Sequence, residues 1–320
     1  MTELNPNFTI IVPGNCNAHC KFCYWNLEKS LDRGVYLRKL SEAIYKLPDG
    51  FRRVTITGGE PTLSTWLKKI VQVLRGRSWD AIVLTTNGTK LCDYLDVNVD
   101  HINISRHHYS DKLNWNIFDA GWGIPDKHEL RSDIEALNKR SIDVTLNAVL
   151  CGQFPDGRNI IRYIEFARSI GASAVTFRAD QNNNSTDKPA EMFYPEISQY
   201  TIKEGWSCPA CKVWGQLICG MPVSWKAAVA EPSIKTNSDY ELIFQPNGKI
   251  TTDWAGAHSW SPKKVIGLAA KLNSKDWMGI PKQNACSSPP RQNACSAHGV
   301  SHGPKICSAP SVACGVSHGC

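Results

Sequence analysis

Six short apolar runs punctuate the first 180 residues, and between them the apolar spacing changes from a period of two to one of three and four. The runs FTIIV (8–12), VTIT (54–57), AIVL (81–84), HINIS (101–105), VTLNAVL (144–150) and AVTFR (174–178) are rich in β-branched residues and predict strands. Helical spacing follows them. Leu37, Leu40, Ile44 and Leu47 keep it up to Pro48. Leu63, Trp66, Leu67, Ile70, Val71 and Leu74 keep it in the next interval, as do Leu130, Ile134 and Leu137 further on. A further helix around IIRYIEFARSIG stops at Gly171, where a left-handed cap is expected. Six β-α units in series imply a parallel sheet in an α/β fold, either a partial (β/α)6 TIM-like barrel or a doubly wound sheet. Either way the chemistry belongs at the C-terminal ends of the strands.

Unusual residues collect at those ends. The first strand is followed by GNCNAHCKFCYW, the second by GGEPT (58–62), the third by TTNGT (85–89) and the fourth by SRHHY (105–109); Asn147 lies in the fifth strand and Arg178 closes the sixth. Taken singly, each has an ordinary reading as a turn or a solvated loop. Their common placement at one end of one sheet is what points to a site.

Cys16, Cys20 and Cys23 carry the clearest chemistry. Three thiols within eight residues do not make a disulfide framework, which needs an even number and is typical of small secreted domains. Soft thiolates suit iron-sulfur centres, and a four-iron cluster held by three of them keeps one iron open for chemistry.

Composition narrows the setting. The 320 residues are 42% hydrophobic, enough for one large α/β domain with an appendage. The start, MTELNPNFTIIVPG, shows no charged leader before an apolar run, and no stretch approaches the ~18 apolar residues of a spanning helix. The expectation is a cytoplasmic protein without a membrane partner, whose 13 cysteines serve metal binding rather than bridges. A net charge of +7 spread along the chain suggests a preference for anionic ligands and gives no nucleic-acid footprint.

CNAHCKFC after the first strand, TGGEPT at the second and TTNG at the third together resemble the radical S-adenosylmethionine (radical SAM) enzymes, over roughly residues 8–180. The resemblance implies that Cys16, Cys20 and Cys23 hold a 4Fe-4S cluster whose open iron is chelated by S-adenosylmethionine. Reductive cleavage then gives a 5′-deoxyadenosyl radical that abstracts a substrate hydrogen. It also implies that Phe22 lies beside the adenine, that Gly58 and Gly59 form the edge meeting the methionyl ammonium with Glu60 as counter-charge, and that Ser105, with Asn87 and Asn147, meets the ribose. An electron donor such as flavodoxin or ferredoxin is implied as partner. Outside this shared machinery, the excursion from Ser105 to Leu130 is long and rich in His and Trp, which makes Arg106, His107, His108 and Tyr109 the substrate-site candidates and Arg178 an anchor for carboxylate or phosphate.

The expected organisation has three parts: a barrel over 1–180, an extension over 181–281 and a tail over 282–320. The extension carries Cys208, Cys211 and Cys219 and the hairpin pattern PNGKI, similar to the SPASM or twitch extension that binds an auxiliary iron-sulfur cluster. In those extensions a cysteine follows the hairpin glycine by five residues; here Asp253 stands there. Either Asp253, Cys219 or a tail cysteine completes the second cluster, or that cluster has been lost; a small zinc site or free thiols at Cys208 and Cys211 is the competing reading. The tail repeats QNACS and VSHG, holds five cysteines and three histidines, and has nothing to bury, so disorder is expected. A metal-binding tail, a fused peptide substrate and an unselected repeat expansion are its three readings. Two function classes result: a radical enzyme acting on a peptide or a small polar, nucleotide-like metabolite, and a non-catalytic iron-sulfur or metal-binding protein using the cysteine-rich tail.

Overall fold

The computed structural model describes residues 6–23, 30–180, 193–208, 213–227, 241–254 and 256–260. All of these lie in one compact unit, Met1–Pro289. The tail from 282, and Cys211 of the extension, lie outside the described residues.

Six parallel strands, β1 (Asn7–Val12), β2 (Arg53–Gly58), β3 (Ala81–Thr86), β4 (His101–Ser105), β5 (Asp143–Leu150) and β6 (Ala174–Ala179), follow one another in sheet order as they do in sequence. The helices between them are α1 (Arg33–Lys46), α2 (Leu67–Leu74), α3 (Asp111–Phe118), α4 (Lys127–Lys139) and α5 (Gly157–Ser169). Sequential parallel neighbours joined by helices give the partial TIM-like barrel. Caps set the helix starts: Asp32 accepts from Gly34 N–H, Asp126 forms a capping box with Glu129, and Asp156 accepts from Asn159 N–H. Past α5, Gly171 takes φ +85°, a left-handed conformation that suits glycine.

Strand alternation separates two faces. Phe8, Ile10, Val54, Ile56, Ile82, Leu84, Ile102, Ile104, Leu146 and Phe177 are buried in one core with Leu40 of α1, Ile70 of α2, Ile134 of α4 and Ile164 of α5. Each such side chain contributes roughly 1.5–3 kcal/mol of burial. The opposite face is polar and bonded across strands. Thr55 donates to Asn7 Oδ1, Asn103 Nδ2 to Thr85, and His101 Nε2 lies 3.0 Å from the Thr145 hydroxyl. This face lines the barrel lumen.

Five further strands extend the sheet beyond both ends of the barrel. A short helix, α6 (Tyr194–Ile197), leads to β7 (Thr201–Cys208), then β8 (Val213–Ile218) and β9 (Met221–Lys226); β9 pairs parallel with β6. β10 (Glu241–Phe244) pairs parallel with β1 and turns into β11 (Ile250–Thr251). The order is β11-β10-β1-β2-β3-β4-β5-β6-β9-β8-β7, so strands from 181–281 share the barrel's sheet and its core, Trp225 and Phe244 included.

Candidate active site

The cysteine loop leaves β1 at Pro13 and is fastened from below by the glycines after β2. A Cβ on Gly58, which has φ +155°, would sit 2.6 Å from the Val12 carbonyl oxygen. One on Gly59 would sit 2.9 Å from the Asn15 carbonyl oxygen and 3.2 Å from Cys16 N. Both glycines therefore let β2 press against the end of β1 and the start of the cysteine loop. The Glu60 N–H donates to that same Asn15 carbonyl at 3.2 Å.

Glu60 is buried and ties three loops together. Its Oε1 accepts from Thr62 N–H, the Thr62 hydroxyl and the Thr86 hydroxyl, and its Oε2 accepts from Asn87 N–H at 2.6 Å. Burial raises its pKa, against the pull of these bonds toward the charged form. Asn87 Nδ2 donates to Asn17 Oδ1 at 2.9 Å, and Asn17 Nδ2 donates to the Thr89 hydroxyl and the Trp122 carbonyl. The Thr62 hydroxyl also lies against the Thr89 carbonyl, so its one proton is shared between that oxygen and Glu60. One buried polar network thus joins the cysteine loop, the GGEPT segment, the TTNGT segment and the excursion after β4.

None of Cys16, Cys20 and Cys23 is in a disulfide. Cys23 N–H donates to the Cys20 carbonyl, folding the second half of the loop into a turn. Burial pushes Cys20 up to about 12, with the charges of Cys23 and Cys16 adding to it, and burial likewise raises Cys16. Three mutually coupled soft thiols on one anchored loop are a donor set that fits an iron-sulfur cluster. Among the described residues no three His, Cys, Asp or Glu side chains converge on a single-ion site.

Phe22 meets the His107 ring edge-on at 4.9 Å, and His107 packs on Phe118 at 4.6 Å. Ser105 and Asn147 face each other in register across β4 and β5, half-buried on the lumen side. Arg178 is in register with Lys226 on β9, which brings two cations side by side to the C-terminal end.

The four substrate candidates of the excursion all make contacts within the protein. Arg106 is 1% exposed; it donates to the His108 and Pro125 carbonyls and pairs with Asp111, so it holds the excursion together. His107 is buried, its Nδ1 accepting from Val149 N–H. His108 is buried, accepts from Ser110 N–H and stacks on Phe154. The Tyr109 hydroxyl donates to Asn159 Oδ1 at 2.8 Å.

The auxiliary grouping also comes apart. Cys208 pairs with Val213 at one end of the β7–β8 ladder, whereas Cys219 follows Ile218 at the other, six residues along. At about 3.3 Å per residue that is about 20 Å. Two thiolates on one metal, each bonded at ~2.3 Å, lie within ~5 Å. Asp253 is engaged locally: it accepts from Ala257 and His258 N–H and lies 3.1 Å from His258 Nδ1, organising its own turn on the β11 side of the sheet. Cys219 does not stand beside Cys208.

Sequence reasoning passed over Asn17, Thr62, Thr86 and Thr89, although all lie inside the quoted motifs. It also passed over Cys151 just after β5, a thiol whose pKa burial raises.

The Radical SAM superfamily profile matches residues 10–162, which run from β1 into α5 and hold every loop of this network. Over these residues the chain belongs to the radical SAM superfamily. Enzymes of that superfamily work with a 4Fe-4S cluster and S-adenosylmethionine. Among curated proteins this radical SAM chain is similar to a probable GTP 3′,8-cyclase of Thermococcus kodakarensis, 25% identical over 59% of this chain and 62% of the relative. It is also similar to one from Metallosphaera sedula, 30% identical over 49% of this chain and 50% of the relative. The chain thus spans between half and two thirds of the length of these relatives. Among solved structures it is similar in fold to Streptococcus suis SuiB bound to precursor peptide SuiA, with TM-score 0.59 and 13% identity, covering 86% of this chain and 66% of that one. Among the described residues no helix is long and apolar enough to cross a membrane.

Proposed function

We propose that this protein cleaves S-adenosylmethionine reductively and uses the resulting radical to take a hydrogen atom from a small, polar, anionic substrate held in the barrel lumen. The observation that carries the reading is the buried network through Glu60, Asn87 and Asn17, which fixes the three-thiol loop over the polar lumen. Cys16, Cys20 and Cys23 would hold the cluster, which when bound supplies the electron that splits S-adenosylmethionine into methionine and a 5′-deoxyadenosyl radical.

The chain's own part is positioning. Glu60, saturated by four donors and deep beneath the loop, keeps a carboxylate where a methionyl ammonium needs a counter-charge. Gly58 and Gly59 keep the β2 edge free of side chains. Phe22, backed by His107, offers an apolar face for an adenine, and Ser105 with Asn147 offers hydroxyl and amide groups for a ribose. Arg178 and Lys226 favour an anionic substrate, and a nucleotide-like molecule accords with the names of the curated relatives. In this reading 1–180 performs the chemistry, and 181–281 completes the sheet and carries a second cluster only if Cys208 and Cys211 find ligands other than Cys219 and Asp253. The repeated QNACS of 282–320 favours the second reading, in which a peptide is the substrate.

The test is anaerobic reconstitution followed by incubation with S-adenosylmethionine and dithionite. 5′-Deoxyadenosine is expected from the parent and none from the Cys16→Ala/Cys20→Ala/Cys23→Ala variant; equal yields would refute the reading. Ribose-deuterated GTP as probe should raise the yield and pass deuterium into 5′-deoxyadenosine. A mass change confined to residues 282–320 during turnover would instead select the peptide reading.

A further inference from the structure

We propose that His107 tunes the cysteine-held centre: its Nε2–H donates to sulfur on the Cys20–Cys23 side and makes that centre easier to reduce. The inference rests on the radical SAM reading and deepens it, naming a side chain that governs how readily the cluster takes up an electron.

Three bonds fix His107. Its backbone N–H donates to Asn114 Oδ1 at 2.8 Å, its carbonyl accepts from Gln153 Nε2 at 2.8 Å, and its Nδ1 accepts from Val149 N–H at 3.2 Å. The last of these sets the tautomer. A backbone N–H only donates, so Nδ1 bears no proton, and a charged imidazole, protonated at both nitrogens, could not accept there. The ring is therefore neutral, with its single proton on Nε2.

That Nε2–H is left over. His107 is only 4% exposed, and among the described residues its Nε2 has no hydrogen-bond partner. It is not one of the fully enclosed donors without a partner, which are Asn114 Nδ2 and Trp260 Nε1, so it keeps an opening through which an acceptor can reach it. A buried donor without an acceptor is costly, and a group bound beside the ring that supplies one is stabilised in return.

The cysteine loop lies beside this ring. Phe22 belongs to the turn that Cys23 N–H closes onto the Cys20 carbonyl, and its ring meets the imidazole at 4.9 Å. Phe118 packs on the same imidazole at 4.6 Å, and its carbonyl accepts from His19 N–H at 2.8 Å with Cys20 Sγ 3.8 Å away. The imidazole thus touches one side chain from the cysteine turn and another whose backbone is held by that turn. Sulfurs are the acceptors that a loaded turn brings to it. Hydrogen bonds to the sulfurs draw electron density from an iron-sulfur centre and favour its reduced, more negative state. One electron enters from a reductant outside the chain, no bond is made or broken at His107, and the proton stays on Nε2.

The main measurement is a potentiometric titration with dithionite, followed by electron paramagnetic resonance, on the reconstituted full-length chain without S-adenosylmethionine. His107→Phe should shift the one-electron equilibrium roughly tenfold toward the oxidised cluster, about 59 mV in midpoint, and change the signal of the reduced cluster. His107→Gln, whose amide nitrogen reaches the place of Nε2 and keeps a donor there, should bring the midpoint back toward the parent. A parental midpoint in His107→Phe overturns the proposal, and so does a His107→Gln midpoint no higher than that of His107→Phe. A parental midpoint joined to severalfold weaker S-adenosylmethionine binding also overturns it, since the donor then serves the bound molecule and not the sulfurs. Nitrogen NMR of the metal-free parent reads the tautomer even if His107→Phe fails to fold: the proton is expected on Nε2, and a proton on Nδ1 overturns the proposal. If the parent itself holds no reducible cluster, the radical SAM reading fails and takes this proposal with it, an outcome distinct from an unshifted midpoint.

Discussion

Replacing Gly59 by alanine is the most direct perturbation of the site's construction. Its backbone is not in the left-handed region, so the effect is steric alone. The new Cβ would lie 2.9 Å from the Asn15 carbonyl oxygen, 3.0 Å from the carbonyl carbon and 3.2 Å from Cys16 N, all backbone atoms that no side-chain rotation can clear. To reach an ordinary 3.4 Å contact the start of the cysteine loop must retreat by about 0.5 Å. Overpacking of this kind costs about 1–3 kcal/mol, partly offset by about 0.4–1 kcal/mol from a stiffer unfolded chain. A net loss of about 1–2 kcal/mol corresponds to a melting point lower by roughly 2–8 °C in a domain of this size. The functional loss should be larger than the stability loss suggests, because a 1 Å misplacement at a reacting centre can cost about 100-fold. We expect about a tenfold slower dithionite-driven cleavage of S-adenosylmethionine and less iron and sulfide retained per chain. Gly121→Ala, where an added Cβ meets nothing within 4 Å, is the control and should be neutral. Iron and sulfide analysis, thermal melts and quantified 5′-deoxyadenosine settle the matter. Parental values of all three for Gly59→Ala would refute the packing argument.

Three further outcomes are expected. Glu60→Gln turns one oxygen of a saturated carboxylate into a donor facing donors, so urea melts should show a loss of about 1–3 kcal/mol, and an unchanged midpoint would mean the network is not as drawn. Burial, with the Arg106 charge adding, pushes His107 down to about 3 from the ordinary 6.5; burial, with the Arg53 charge adding, pushes His101 to about 4. Each stays neutral when folded and takes up a proton when unfolded, so stability is fully present above pH 6.5 and lost as pH falls toward 4, by up to about 1.4 kcal/mol per pH unit for each histidine. His107→Asn, whose amide oxygen can still accept from Val149, should flatten that slope, and urea melts giving the parental slope would count against the assignment. Cys219→Ala should leave iron content unchanged, because the β7–β8 register holds it far from Cys208; a proportionate loss of iron would contradict the register.

The barrel was legible in the sequence because its two faces differ so sharply. HINIS matches β4 residue for residue, and the other five runs fall within one or two residues of the observed strands. α3 was missed because only Asn114 and Phe118 of its eight residues are buried, too few to show a period. The pairing of β10 with β1 was invisible, since parallel partners more than 200 residues apart leave no local signal. At the site, motif identity was readable and motif mechanics were not. GGEPT announced a glycine edge, but nothing in those letters says that Gly59 abuts Asn15 or that Glu60 is saturated by Thr62, Thr86 and Asn87. Arg106, His107 and His108 stood out because they are chemistry-bearing side chains after a strand; their burial and their bonds to His108, Val149 and Ser110 could not be read from the letters.

The partnership of β1 with β10 has a consequence for how the molecule is made. Phe244 is released from the ribosome 234 residues after Ile10, its register partner. At translation rates of about 5–20 residues per second that interval is roughly 10–50 s. Throughout it, the strand that leads into the three cysteines has β2 on one side and nothing on the other. The loop on which the chemistry depends thus emerges long before it is closed in, which leaves a window during synthesis in which its thiols are open to metal delivery and equally to oxidation.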